Sequence, residues 1–435
     1  MGNARRVVIT GSGVVTAAGA GRDAFWQRAL EGRSSIGAME SYATDPPGCL
    51  VGEVRGVDLT AYFANKRLLK MVGRRALMCV AASVLMMEDA GAAPGTLSAD
   101  DTGIYLGDYG ALEGDPRHLV KALSRSRDED GRLSMQKLGM SGLRALNPLN
   151  LLMNIPNAPT AHVSMQHNVR GLSNTYLTNF TASALAIGEA AEVIRAGRAQ
   201  QMVVGGVGIL NAVSLMEFSA FGLICGGAGE AARAVRPFDA DACGFAPAEG
   251  AALLLLEELE TAQRRGARVR AEITGYGWSF VPSVDDLVPD AEGVAIGRAI
   301  DAAMTRARLT PADIDCVVAS GLAHPAFDLA EGRAVCRLVE RGARPHISAV
   351  SPVAGHLQGG MTALQAATAS MIIETGAIPP IPNHVQPRPE LARLAFVTKE
   401  PVRRDVRNVV ISALGLGGQA AALVLSACWG NGGGR

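Results

Sequence analysis

Few side chains in this sequence could carry covalent or acid–base chemistry, and they gather in three short stretches. LTNFTASALAIGEAA (177–191) runs from a polar turn into an apolar helix. A helix N-terminus presents free backbone N–H groups and the positive end of its dipole, so a nucleophile placed there is activated. Phe180 occupies that place, among Thr178, Asn179, Thr181 and Ser183; its ring has no nucleophile to activate. GHLQGG (355–360) sets His356 in a glycine-flanked turn ahead of another helix, a setting that suits a working histidine. SGLAHPAFD (320–328) holds Ser320 and His324. Ser183 and Thr181 with His356 and His324 could together supply hydroxyls and imidazoles for acyl transfer or decarboxylation.

Other motifs read as structure. GSGVVT (11–16) has Thr16 where a dinucleotide fingerprint needs glycine, and too little chain follows GLGGQA (415–420) for a βαβ unit, so both predict tight turns. His162 and His167 are five apart, off the helical ligand spacing, which predicts packing rather than a metal site. The basic run QRRGARVR (263–270) reads as a solvated helix end, although it could meet an acidic partner protein. No cofactor or metal is expected.

These stretches need elements to position them. Short apolar runs ending in glycine predict buried strands at 5–15, 102–110, 201–210, 251–259, 315–321 and 407–418. Helical stretches lie between them at 74–91, 182–197, 293–309, 328–342 and 360–376. The alternation predicts an α/β protein with mainly parallel sheets, in two similar halves, 1–260 and 261–435. Residues 111–160 read as an irregular lid or interface arm.

Composition bounds the function. The chain has 435 residues, 48% hydrophobic and 19% charged, which is ample core material and argues against disorder. Its 41 basic and 41 acidic residues cancel, so no strong field points to nucleic acid or an anionic membrane. The seven cysteines (49, 79, 225, 243, 316, 336, 428) are scattered without a CxxC pair, which predicts reduced thiols and a cytoplasmic protein. The apolar run 409–429 carries three glycines and a glutamine, so it predicts strand–turn–strand rather than a membrane span.

The stretches RRVVITGSGVVTAAG, RGLSNTYLTNFTASALAIGEAAEVIRAG, the RPFDAD…GF…EGAALLLLEELE block (236–260), SPVAGHLQGG and GLGGQAAALVL resemble, over essentially the whole chain, the elongating β-ketoacyl-acyl-carrier-protein synthases. The resemblance implies the thiolase fold: two similar α/β halves in five α-β-α-β-α layers. It also implies a set of catalytic positions. The nucleophilic cysteine falls at Phe180, the first histidine at Ser320 and the lysine at Ser351. The glutamate falls at Gln365, and two gate phenylalanines at Leu414 and Leu416. The second histidine is retained as His356.

Four of the five chemical positions are therefore lost. The resemblance then implies a degenerate, chain-length-factor-like member that pairs with an active ketosynthase and closes its acyl tunnel. The pathway would be type II polyketide, aryl polyene or another fatty-acid-like route, with an acyl carrier protein as second partner. Asp108, Tyr109 and residues 140–156 are the candidate tunnel or gate positions. The alternative is a relative with altered acyl-transfer or decarboxylase chemistry.

Overall fold

A computed structural model describes residues 5–40, 49–110, 113, 116–146, 149–226, 233–283 and 287–428. Ten strands carry the architecture: β1 (Val7–Thr16), β2 (Thr102–Gly107), β3 (Ser173–Tyr176), β4 (Gln201–Gly208), β5 (Gly250–Glu258), β6 (Ala271–Phe280), β7 (Cys316–Val318), β8 (His346–Ser348), β9 (Asn408–Leu414) and β10 (Gln419–Ser426). Six helices matter most: α1 (Arg74–Asp89), α2 (Ala182–Arg195), α3 (Ala212–Ala220), α4 (Val294–Ala307), α5 (Pro325–Glu340) and α6 (Met361–Thr375).

One pairing pattern occurs twice. In the first half β2 is parallel to β3 and β4, β4 is antiparallel to β5, and β5 to β1. In the second half β7 is parallel to β8 and β9, β9 is antiparallel to β10, and β10 to β6. The repeat expected from alternation alone is thus visible in the topology. The expectation of mainly parallel sheets is corrected: each half is mixed, because its last strands return as antiparallel neighbours rather than through helical crossovers. The two sheets join edge to edge where β1 meets β6, at Val8–Glu272 and Ile9–Ala271.

The helices complete five layers. Helix α1 packs outside the first sheet on β1 and β5, and α4 packs outside the second on β6 and β10. Helices α2 and α6 lie between the sheets. Helix α6 is mostly apolar and buried from Met361 to Ile373, as expected for a helix with no solvent face. The seam between the halves is closed by ion pairs: Arg270 bonds Asp89 and Glu374 (2.6 Å each), and Arg22 pairs with the same two carboxylates.

Three further expectations change. Within the 111–160 arm, residues 111, 112, 114, 115, 147 and 148 lie outside the described residues; the remainder is a string of short helices, including Pro116–Ser124, Asn150–Asn154 and Ala158–His167. GSGVVT is part of strand β1, not a turn. Its glycines let α1 lie against the strand, since a Cβ on Gly13 would come 1.9 Å from Ala82 O. Finally, Cys225 and Cys243 form a disulfide, so the reduced state expected from scattered spacing does not hold for that pair; bends of the chain bring together residues that sequence spacing leaves apart. Among the described residues of 409–429, β9 and β10 form the expected strand–turn–strand, with Gly417 (φ 75°) and Gly418 (φ 95°) in the turn. No helix of the described residues is long and apolar enough to cross a membrane.

Gly13→Ala should force β1 and α1 apart and destabilise the protein by about 1–3 kcal/mol in urea denaturation. An unchanged midpoint would show that the strand and helix are free to separate.

Candidate functional site

The centre of the molecule is a meeting of backbones. A Cβ on Gly206 would lie 2.7 Å from both Gly107 O and Gly359 O, so the ends of β2 and β4 and the turn before α6 touch without side chains between them. That contact brings the α2 entrance, Asp108–Tyr109 and the His356 turn together. Gly355 (φ 84°) makes the turn possible, and His356 is pinned by its N–H to Ala246 O (2.8 Å) and by Ala248 N–H to its own carbonyl (3.0 Å).

Asn179 sets the position of Phe180. It adopts a left-handed φ of 43°, and its Oδ1 accepts from the N–H groups of Phe180 (2.6 Å) and Leu416 (3.0 Å). Phe180 is only 2% exposed. Its ring packs edge-on to His356 (centroids 4.6 Å apart) and Phe245 (5.6 Å), tilted against Phe218 (5.8 Å), and stacked on Tyr109 (5.8 Å). Phe218 and Phe245 also touch each other, at 5.3 Å. The result is an aromatic plug packed at the entrance of α2. A cavity of about 480 Å³ lies outside it, lined by residues including Tyr109, Asn179, Glu217 and Leu416 but not by Phe180.

His356 is neutral. Its Nδ1 accepts from Gln358 N–H (3.2 Å), which leaves the proton on Nε2, and Nε2 has no hydrogen-bond partner among the described residues. Burial pushes the imidazole pKa down to about 3. The other implied catalytic positions are taken up by structural bonds. Ser320 N–H and Gly321 N–H donate to the two carboxylate oxygens of Glu331 (2.8 and 3.0 Å). Ser351 Oγ–H donates to Gly321 O. Gln365 Nε2 donates to Val318 O (3.1 Å) and Ser412 O (3.0 Å). Leu414 and Leu416 are buried in the same apolar cluster as Phe180.

The four groups of the alternative reading are not assembled into one set. Ser183 Oγ accepts from Ala363 N–H (3.2 Å), and Thr181 Oγ–H donates to Thr178 O (2.8 Å). His324 caps α5, accepting from Ala326 N–H at Nδ1 (3.3 Å), and its ring packs on Phe327. The remaining candidates have other partners too. Asp108 belongs to a buried ion cluster in which Arg75 bonds it, Glu113 Oε1 (2.6 Å) and Met153 O (3.2 Å). Tyr109 O–H donates to Glu217 (2.8 Å). His162 packs on Phe63, and His167 bonds Ser83. In the basic run, Arg265 pairs with Glu257, and Arg268 and Arg270 with Glu374, so its charge is largely spent within the fold.

Two family profiles match most of this chain: the "Beta-ketoacyl synthase, N-terminal domain" over residues 4–262 and the "Beta-ketoacyl synthase, C-terminal domain" over 270–384. The chain belongs to the β-ketoacyl synthase family. The 3-oxoacyl-[acyl-carrier-protein] synthase 2 of Rhizobium meliloti (strain 1021) is 31% identical over 435 residues, covering 97% of this chain and 98% of the relative. That of Synechocystis sp. (strain ATCC 27184 / PCC 6803 / Kazusa) is 30% identical, covering 96% and 97%.

Among solved structures, the ishigamide ketosynthase/chain length factor superposes with a TM-score of 0.86 at 26% identity, covering 98% of this chain and all of that one. A β-ketoacyl synthase from Burkholderia phymatum STM815 gives 0.84 at 26%, with the same coverage. The ketosynthase of a type II polyketide synthase, solved in complex with its acyl-carrier protein, gives 0.82 at 23%, a likeness of fold alone. The thiolase-like ketosynthase fold of this chain is therefore established.

Sequence reasoning missed Phe218 and Phe245 as walls of the plug, and Arg75 and Glu113 as the partners of Asp108. The only signal was the rarity of aromatics, 4% of the chain, against the apolar helix that holds Phe218.

Two measurements probe the site. Phe180→Ala should leave a cavity and destabilise the protein by about 3–5 kcal/mol in urea denaturation. For His356, the unfolded chain takes up a proton between pH 6.5 and about 3 that the folded chain refuses. Acidification through that window therefore favours unfolding, by at most ~1.4 kcal/mol per pH unit from this group. Above pH 6.5 both states are neutral and the contribution is flat. His356→Gln should remove that slope, so wild type and variant run parallel above pH 6.5 and converge or cross below it. Parallel profiles throughout would count against a neutral, buried His356.

Proposed function

We propose that this chain is a non-catalytic subunit that pairs with an active β-ketoacyl synthase in type II polyketide or polyene biosynthesis and closes the end of that partner's acyl tunnel. The observation that carries the reading is Phe180. A condensing enzyme needs a nucleophile at the α2 entrance and space for its acyl thioester; here a ring packed on His356 fills both. The uncharged side chains of Ser320, Ser351 and Gln365 support the same reading. Ser351 Oγ and Gln365 Nε2 donate within the fold, Ser320 is held through its backbone N–H, and none of the three offers base or cation to a malonyl group. The fold likeness to the ishigamide ketosynthase/chain length factor agrees with it.

A surface suited to pairing is present. Strand β3 is the edge of the sheet, with one side of its backbone unpaired. Beside it Leu177 and Met165 are exposed, and the short helices of the arm expose Leu119, Val120 (61%), Met140 (65%) and Leu143. So much apolar surface on one subunit points to a protein partner. Arg75 links this arm to the plug through Asp108, Glu113 and Met153. The acyl carrier protein that serves the active subunit would be the second partner.

The test is co-purification with an intact ketosynthase and a condensation assay, each protein alone and together, using acyl- and malonyl-carrier protein. Activity should appear only in the one-to-one mixture. Phe180→Cys alone should stay at least about 10³-fold below an intact synthase, because catalytic groups act as a unit and only one thiol is restored. A double variant Met140→Asp, Leu143→Asp should weaken the complex by tenfold or more, about 1.4 kcal/mol, without lowering the melting temperature of the isolated chain. Condensation or decarboxylation by this chain alone, surviving Phe180→Ala, would favour the altered-chemistry reading instead.

A further inference from the structure

The segments that carry Phe218 and Phe245 are fastened to each other at one covalent point. After α3 ends at Ala220 the chain runs through Leu223 to Cys225, which is joined to Cys243 with Cα atoms 5.0 Å apart and 18 positions between them in sequence. Phe218 precedes this bond on one side and Phe245 follows it on the other. Backbone bonds flank the junction: Cys225 N–H donates to Phe245 O, and Phe245 N–H to Leu223 O, both at 3.0 Å. Gly244 lies between them. A Cβ there would sit 2.6 Å from Leu223 O, so only glycine allows so close an approach. The junction reaches from solvent to core, since Cys243 is exposed and Cys225 is buried. Cys79, Cys316 and Cys336 are buried, and Cys49 and Cys428 half-buried; all five are free thiols.

We propose that the Cys225–Cys243 disulfide is a redox-reversible latch on the aromatic plug. Oxidised, it holds the Phe218 and Phe245 segments together against Phe180 and His356. A dithiol reductant opens it in two steps. One thiolate of the reductant attacks Sγ of Cys243, the exposed residue of the pair, and Cys225 leaves as thiolate and takes a proton. The reductant's second thiol then displaces Cys243, which leaves as a thiol, while the reductant becomes a disulfide. The protein gains two electrons and two protons, and the reductant loses them. With the bond broken, the two segments keep only their backbone bonds and their packing, so they open locally more often than the rest of the core. The inference concerns the plug itself and stands whether or not the chain pairs with a synthase.

The experiment uses the full chain, purified without reductant and quenched with an alkylating agent. Digestion should yield one peptide pair joined through Cys225 and Cys243, and dithiothreitol should convert both to alkylated thiols. Hydrogen exchange should then become at least ~tenfold faster for amides of residues 212–225 and 243–246, while those of α2 stay unchanged. Cys243→Ser should exchange at the reduced rate with or without dithiothreitol. If that variant does not fold, the comparison of oxidised and reduced wild type decides alone. Absence of the joined peptide overturns the proposal. So does exchange that ignores reduction, or exchange that rises across the whole chain, which would mark a general staple rather than a latch on the plug.

Discussion

Helices α2 and α6 run between the two sheets; α6 turns no face to water and α2 opens only a stripe at Leu185, Glu189, Glu192 and Arg195, and much of the molecule follows from that confinement. A buried polar atom there must find its partner inside the protein or cost free energy. Helix α6 nonetheless carries Gln365, Thr368 and Ser370. Each is bonded to a nearby carbonyl: Gln365 to Val318 and Ser412, Thr368 to Leu364, and Ser370 to Ala367. The same confinement requires the chain crossings at Gly107, Gly206 and Gly359 to be bare backbone. Those crossings place the α2 entrance beside the His356 turn, so the location of a site is fixed by packing, independently of whether the site works.

That separation lets the site's positions hold neutral side chains within an intact fold. A buried thiolate, imidazolium or ammonium must be held against its desolvation cost by partners. Phe180, Ser320, Ser351 and Gln365 carry no charge to hold, while His356 Nε2 and Gln365 Oε1 find no hydrogen-bond partner among the described residues. Glu331 has a structural task, accepting from the N–H groups of Ser320 and Gly321 and from the hydroxyl of Ser412. Asp328 has another, with Oδ2 accepting from Phe238 N–H at 2.7 Å. Its burial pushes its pKa well above the usual carboxylate range.

Periodicity made the elements legible where one contact type dominates. The predicted helices at 74–91 and 360–376 lie within two residues of α1 and α6, because an unbroken apolar or amphipathic run ends at a glycine or a polar turn. Phe180 and His356, picked out by motif resemblance as local sequence events, an aromatic before a helix and a histidine in a glycine-flanked turn, do lie side by side. What was not legible depends on distant segments meeting. The plug joins residues 109, 180, 218, 245 and 356; the disulfide joins 225 and 243; Arg75 meets Asp108 and Glu113. None of these has a spacing that a one-dimensional pattern records. The short helices of the arm were missed for a different reason. They span one to three turns, too few for a period to emerge from the sequence.

The plug and the arm form one mechanical unit. Tyr109 stacks on Phe180, and its neighbour Asp108 is gripped by Arg75, which also holds Glu113 and the carbonyl of Met153. Arg75 is itself almost fully buried, so its charge is committed to that grip and cannot relax toward water. Displacing the arm would therefore either strand a buried guanidinium or drag Asp108, and with it the ring of Tyr109, away from Phe180. An interior filled by rings and tied to an apolar outer arm is a poor vessel for a substrate. Its packing instead ties Phe180, through Tyr109, Asp108 and Arg75, to the arm at the surface.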